Sequence, residues 1–121
     1  MLDHVALNVS DLETSKRFFE QALQPLGYRI LFEVEGFVGM GAERLDFAFA
    51  QRGPEGVAHV AFASPDRATV DACYEASLAA GGRDNGAPGI RAHYDENYYA
   101  AFVLDPDGHN IEVVCTKPEA A

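Results

Sequence analysis

Residues 4–11 read HVALNVSD and residues 59–66 read HVAFASPD, one phrase written twice and led each time by histidine. Set on one another at an offset of 55, the copies match without a gap from Asp3–Gly27 to Ala58–Gly82, and eight of the 25 positions are identical. These are His4/His59, Val5/Val60, Ala6/Ala61, Asp11/Asp66, Thr14/Thr69, Glu20/Glu75, Leu23/Leu78 and Gly27/Gly82. A single long-period repeat of this kind means two copies of one supersecondary unit, and function is expected where the copies meet.

Each copy opens with a strand pattern. Val5, Leu7 and Val9 alternate with His4, Ala6 and Asn8, and Val60 and Phe62 alternate with His59, Ala61 and Ala63. A period of two puts the large apolar residues on one face and the histidines, flanked by small residues, on the other. That second face has room for a ligand.

A helix follows in each copy. Ser10-Asp11-Leu12-Glu13 has the form of a capping box and predicts an N-cap at Ser10; Ser64-Pro65 predicts an N-cap at Ser64 with proline at the first helical position. Leu12, Phe19, Ala22, Leu23 and Leu26 form the first apolar stripe, and Val70, Tyr74 and Leu78 the second. Pro25 with Gly27, and Gly81-Gly82, end the helices.

Three short apolar runs, 28–34, 36–41 and 44–51, then suit antiparallel strands in the first copy. In the second copy 98–104 and 109–116 are the last strands, joined by the turn Asp105-Pro106-Asp107-Gly108. Residues 85–97, containing Gly86, Pro88 and Gly89, read as a longer irregular insertion. The expected architecture is therefore an α+β fold of two tandem β-α-β-β-β modules, 1–53 and 54–121 of one 1–121 domain, with the helices covering one face of each sheet.

The bulk numbers narrow the function. Nineteen acidic against nine basic residues give a formal charge of −10, which offers no field to gather a phosphate backbone, so no nucleic acid partner is expected. No run approaches the roughly 18 apolar residues of a membrane span, and the N-terminus lacks a basic and apolar leader, so no membrane partner is expected either. Cys73 and Cys115 lie in apolar segments and make neither a disulfide framework nor a C-x-x-C pair; buried thiols in a cytoplasmic protein are the expectation.

The chain resembles the vicinal oxygen chelate superfamily, which contains glyoxalase I, extradiol dioxygenases, fosfomycin-resistance proteins and bleomycin-binding proteins. The resemblance runs from DHVALNVSDLETSKRFFEQALQPLGY through HVAF to FVLDPDGHNIEVV. It implies paired modules forming an open, cupped barrel. It also implies a divalent metal (zinc, nickel, iron or manganese) held by histidines from the first strand of each module and a glutamate from the last, positions that read here His4, His59 and Glu112.

Two histidines and one carboxylate leave coordination positions open for substrate oxygens. Glyoxalase-like members add a carboxylate from the last strand of module one. Aligning Leu45-Asp46-Phe47 with Ile111-Glu112-Val113 makes Asp46 the counterpart of Glu112 and a candidate fourth ligand, one methylene shorter than the usual glutamate.

The reaction implied is a metal-assisted lyase or isomerase step, with Glu112 or Asp46 as the proton-moving group. No arginine pair suited to glutathione carboxylates is evident. Extradiol enzymes carry a tyrosine where this chain has Phe102, and phenylalanine cannot transfer a proton, which lowers the dioxygenase reading. Arg91, His93, Tyr94 and Tyr98 supply aromatic walls and polar handles and are expected to bind a small-molecule substrate. His109 is assigned no role. Relatives of this length commonly pair, so a homodimer with a site shared between chains is expected. The alternatives are a non-catalytic drug or metabolite binder and a thiol-dependent antibiotic-modifying transferase.

Overall fold

A computed structural model describes residues 3–51 and 56–119. The first module holds β1 (Val5–Asn8), α1 (Leu12–Ala22), a short 3₁₀ turn (Gln24–Leu26), β2 (Arg29–Val34), β3 (Phe37–Gly41) and β4 (Phe47–Ala50). The second holds β5 (His59–Ala63), α2 (Arg67–Ala79), β6 (Arg83–Ile90), β7 (Tyr99–Leu104) and β8 (Asn110–Cys115). The expected module boundary between 53 and 54 lies outside the described residues.

Each module is a four-stranded mixed sheet with the same order, β1-β4-β3-β2 and β5-β8-β7-β6, its first strand running parallel to its last. The sheets stay open, as an α+β cupped half-barrel requires. The alternation in the first strands holds: Leu7, Val9 and Phe62 are buried, while His4, Ala6, Asn8, His59, Ala61 and Ala63 are exposed.

One continuous core takes Phe18, Phe19, Val70 and Cys73 from the helices and Leu7, Phe47, Phe49, Phe62, Val103 and Ile111 from the helix-side faces of both sheets. Phe62 ties the modules together, its ring meeting Phe47 edge-on at 5.1 Å and Tyr28 at 5.6 Å. The concave faces point away from this shared core. Both cysteines are buried and free, and burial pushes the Cys73 thiol up to about 12.

Three local expectations are corrected. The helix N-caps are Asp11 and Asp66, not Ser10 and Ser64: each aspartate accepts from the backbone N–H three residues on, Thr14 at 3.1 Å and Thr69 at 2.7 Å. Asp11/Asp66 and Thr14/Thr69 are both identities of the repeat, so the two copies start their helices in the same way. Ser64 instead turns its hydroxyl to the Asp66 carbonyl at 2.7 Å, and Pro65 precedes the helix rather than opening it.

The third correction concerns 85–97, whose first half is strand. β6 pairs with β7 from Arg83 to Ile90, with register shifts on either side of Gly86, which has φ of +148°. An edge strand tolerates the missing N–H of Pro88 because its outer side needs no partner. The remaining loop, 91–98, closes on itself through Arg91 N–H donating to Tyr98 O at 2.8 Å and Tyr98 N–H to Asp95 O at 3.1 Å.

Candidate functional site

The parallel pairing of β5 with β8 sets His59 and Glu112 side by side on the concave face of the second sheet. Ala61 lies level with Glu112, and His59 with Asn110, one step of the pleat away. The His59 Nε2 atom is 2.9 Å from Glu112 Oε1. His59 is half exposed, but Glu112 is only 3% exposed, a carboxylate sunk into the floor of the cup beside a solvent-facing imidazole.

The other ring nitrogen decides the chemistry of this pair. His59 Nδ1 lies 3.2 Å from the Asn110 carbonyl, which can only accept, and Nε2 faces the carboxylate, so the tautomer with its proton on Nδ1 leaves the Nε2 lone pair for a cation. A proton or a cation between Nε2 and Oε1 satisfies both. An imidazole anchored through its second N–H to a carbonyl is the usual support of a metal-bound histidine, so the residues present fit a divalent ion.

Glu112 Oε2 receives the hydroxyl of Tyr98. This hydrogen bond, together with partial burial and the carboxylate charge, pushes the Tyr98 hydroxyl up to about 12. The Tyr98 ring packs tilted against Tyr94 at 5.0 Å, and Tyr94 tilted against His93 at 4.1 Å. On the same face, directly opposite Glu112 across β7 and β8, Phe102 lies nearly parallel to the His59 ring, with Arg91 over it at 5.4 Å. The Arg91 guanidinium donates to Gly89 O and Ala87 O, both at 2.9 Å. His59, Glu112, Tyr98, Phe102 and Arg91 therefore form one surface, extended by Tyr94 and His93.

His4 lies elsewhere. It is exposed on the concave face of the first sheet, with Nδ1 2.9 Å from Asp3 Oδ1. Among the described residues only Asp105, Asp107 and His109 bring ligand atoms within 4.8 Å of one another as a group of three, so His4 does not converge with His59 and Glu112 in one chain.

Asp46 does not occupy the place of Glu112 in the first module. Val5 pairs with Phe47 and its twin Val60 with Ile111, so Ala48 answers to Glu112, and Asp46 to Asn110. The Leu45 side chain covers Gly39, the partner of Ala48, and leaves that level of the first sheet apolar. Both Asp46 oxygens accept the Tyr28 hydroxyl, at 2.8 and 2.9 Å, and the Tyr28 ring packs on Phe62 in the shared core. Burial and this bond raise the Tyr28 hydroxyl well above its ordinary value.

The Asp105–Asp107–His109 group could hold a metal by its spacing, but every ligand atom except Asp105 Oδ2 has another partner. Asp105 Oδ1 accepts from the backbone N–H of Asp107 and of His109, and Asp107 accepts from Ser10 N–H at 3.0 and 3.2 Å. His109, buried at 1% exposure, accepts from Ala58 N–H at 2.9 Å through Nδ1 and donates from Nε2 to Asn8 O at 2.8 Å. One turn of module two thereby clasps the end of β1 and the approach to β5. Only its place behind a DPDG turn could have drawn attention to His109 in the sequence, and that gave no hint of a bridge to Asn8.

The comparisons with known proteins agree with this fold. The family model described as the Glyoxalase/Bleomycin resistance protein/Dioxygenase superfamily matches residues 1–113. The uncharacterized protein YqjT of Bacillus subtilis (strain 168) is 29% identical over 93% of this chain and 97% of its own. A glyoxalase/bleomycin resistance protein from Albidiferax ferrireducens T118 superposes with a TM-score of 0.83 at 27% identity, covering 98% of this chain and 99% of its own. Lactoylglutathione lyase from Agrobacterium tumefaciens has a TM-score of 0.74 at 18% identity over 95% and 92% of the two chains, a likeness of fold alone. With a repeated β-α-β-β-β plan and a family match over nearly its whole length, the chain belongs to the glyoxalase/bleomycin resistance protein/dioxygenase superfamily.

Proposed function

We propose that the protein is a small metal-dependent enzyme of the lyase or isomerase type, acting on a small organic molecule with two adjacent oxygens. The observation that carries this reading is the His59–Glu112 pair, with Nδ1 anchored on the Asn110 carbonyl and Nε2 aimed at Oε1 on the open face of the sheet. His59 and Glu112 would hold a zinc, nickel, iron or manganese ion, with His4 supplied by a second copy of the chain. Asp46, engaged by Tyr28, falls outside this set. When bound, such an ion polarises neighbouring oxygens and makes the hydrogen on the carbon beside them more acidic.

The chain's own residues supply the rest. Glu112 would take that proton on the Oε1 lone pair not directed at the ion and return it to the neighbouring carbon. Phe102 and the Tyr94–Tyr98 pair wall the substrate with flat apolar surface, and Arg91 offers its remaining N–H donors at the rim. Phe102 has no hydroxyl to deliver a proton, which argues against extradiol ring cleavage. We place the enzyme in the cytoplasm as a homodimer, because the concave faces are turned outward from the core and a second copy would bring His4 opposite His59.

One observation favours a second reading. Both oxygens of Glu112 lie against protein groups, Oε1 against His59 Nε2 and Oε2 against the Tyr98 hydroxyl, so a proton between Nε2 and Oε1 would complete a cup that binds a drug or metabolite without an ion. The metal content of the purified protein, grown with several divalent metals and compared with Glu112→Ala, separates the two. Close to one ion per chain, lost in the variant, is the expected result. Metal-free protein that takes up no ion on titration, and a ligand affinity indifferent to chelator and to His4→Ala, would replace the enzyme with the binder.

A further inference from the structure

Among the described residues Glu112 is the most deeply buried acidic group on either concave face, and its two oxygens are treated differently. Oε1 is turned to the half-exposed His59 ring, while Oε2 is closed by the Tyr98 hydroxyl. Tyr98 itself ends the loop that begins at Arg91, its backbone held at both N–H and carbonyl within that loop and its ring packed on Tyr94. The hydroxyl therefore sits on a fixed frame rather than on a free side chain.

We propose that Tyr98 is a positioning residue that pins Glu112 through Oε2, so that the carboxylate presents Oε1 alone, on the side of His59 Nε2. The proposal rests on the metal-site reading for its consequence, but not for its geometry. A carboxylate free to rotate about its last bond could swing both oxygens toward a cation or turn away from it; with one oxygen tied to a phenol it acts through the other. Partners that orient a ligating group in this way typically change metal affinity by about 10- to 100-fold when removed. A tyrosine serving only to satisfy a buried acid would cost stability on removal and leave the affinity of the folded protein unchanged. The position also links the site to the outer rings: Tyr94, exposed at the loop surface, touches the ring whose hydroxyl holds Glu112.

The test is Tyr98→Phe, which keeps the ring and its packing and removes only the donor, with Tyr94→Phe as a control that leaves the Glu112 bond intact. Zinc binding is measured by titration calorimetry on the full chain at one concentration, with thermal melting to confirm folding. A crystal structure of each variant, without added metal, gives the second readout. The expected result is a roughly 10- to 100-fold weaker zinc affinity in Tyr98→Phe with unchanged stoichiometry, no change in Tyr94→Phe, and a Glu112 carboxylate that has left His59 Nε2. Unchanged zinc affinity in Tyr98→Phe overturns the proposal while leaving the metal site standing. If the parent protein takes up no zinc, the metal-site reading fails and the crystal structures alone decide: Glu112 displaced only in Tyr98→Phe sustains the positioning role, and Glu112 still beside His59 overturns it.

Discussion

Replacing His109 tests how the two modules are held together. In His109→Phe the ring volume is kept, but the Ala58 N–H and the Asn8 carbonyl lose their partners at 2.9 and 2.8 Å. At about 1 kcal/mol for each lost hydrogen bond, the expected cost is about 2 kcal/mol. His109→Ala loses the same two bonds and leaves a cavity at a site of 1% exposure, so a cost of about 3–5 kcal/mol is expected by analogy with buried aromatic truncations. A domain of this length is stable by roughly 6 to 18 kcal/mol, so the phenylalanine variant should fold and the alanine variant should approach the margin. Urea unfolding at fixed protein concentration gives both values, and amide exchange at Ala58 should quicken in each. A His109→Phe protein within about 0.5 kcal/mol of the parent would mean that the His109 bridge between β1 and β5 contributes nothing and that the shared core and the Asp107–Ser10 contact join the modules.

Two further outcomes follow from local geometry. Asp11→Ala and Asp66→Ala should each cost about 1 kcal/mol in urea unfolding and add in the double variant, whereas Ser10→Ala should lie near zero; a larger effect at Ser10 would return the cap to the capping-box position. Asp105 is buried and one of its oxygens has no partner, and desolvation raises its carboxyl pKa. Because the folded value lies above the unfolded one, its stabilising contribution is full below the unfolded carboxylate range of about 4 and fades as pH rises through the raised value. Asp105→Asn keeps the acceptor for the Asp107 and His109 amides without the charge. Its stability should therefore fall less than the parent's between acidic and neutral pH; parallel curves would show that Asp105 does not titrate in that window.

The faces that carry the candidate site were legible because they depend on short periods. The alternation His4-Val5-Ala6-Leu7 needs only the pleat to put histidine and alanine on one face and Val5 and Leu7 on the other, and the repeat applies the same rule to His59. Glu112 beside Ile111 and Val113 follows in the same way. Asp46 did not follow, because matching apolar neighbours fixes a face but not a level. The level is set by the parallel ladder between strands about forty residues apart, which matches Val5 with Phe47 and thereby gives the place of Glu112 to Ala48.

The sequence by itself therefore determined the duplicated unit, the helix-side and concave faces of its first strands and the buried thiols, since each rests on local periodicity or on one repeat; His59 and Glu112 were paired only by the family resemblance. Tertiary structure alone decided that Tyr98 closes on Glu112, that Asp46 turns to Tyr28, that His109 bridges Asn8 and Ala58, and that His4 stands apart from His59 within one chain. Those contacts join segments whose approach is set by the packing of two sheets and two helices around Phe62. Hydrogen bonds across such distances in the chain leave no periodicity in the residues that make them.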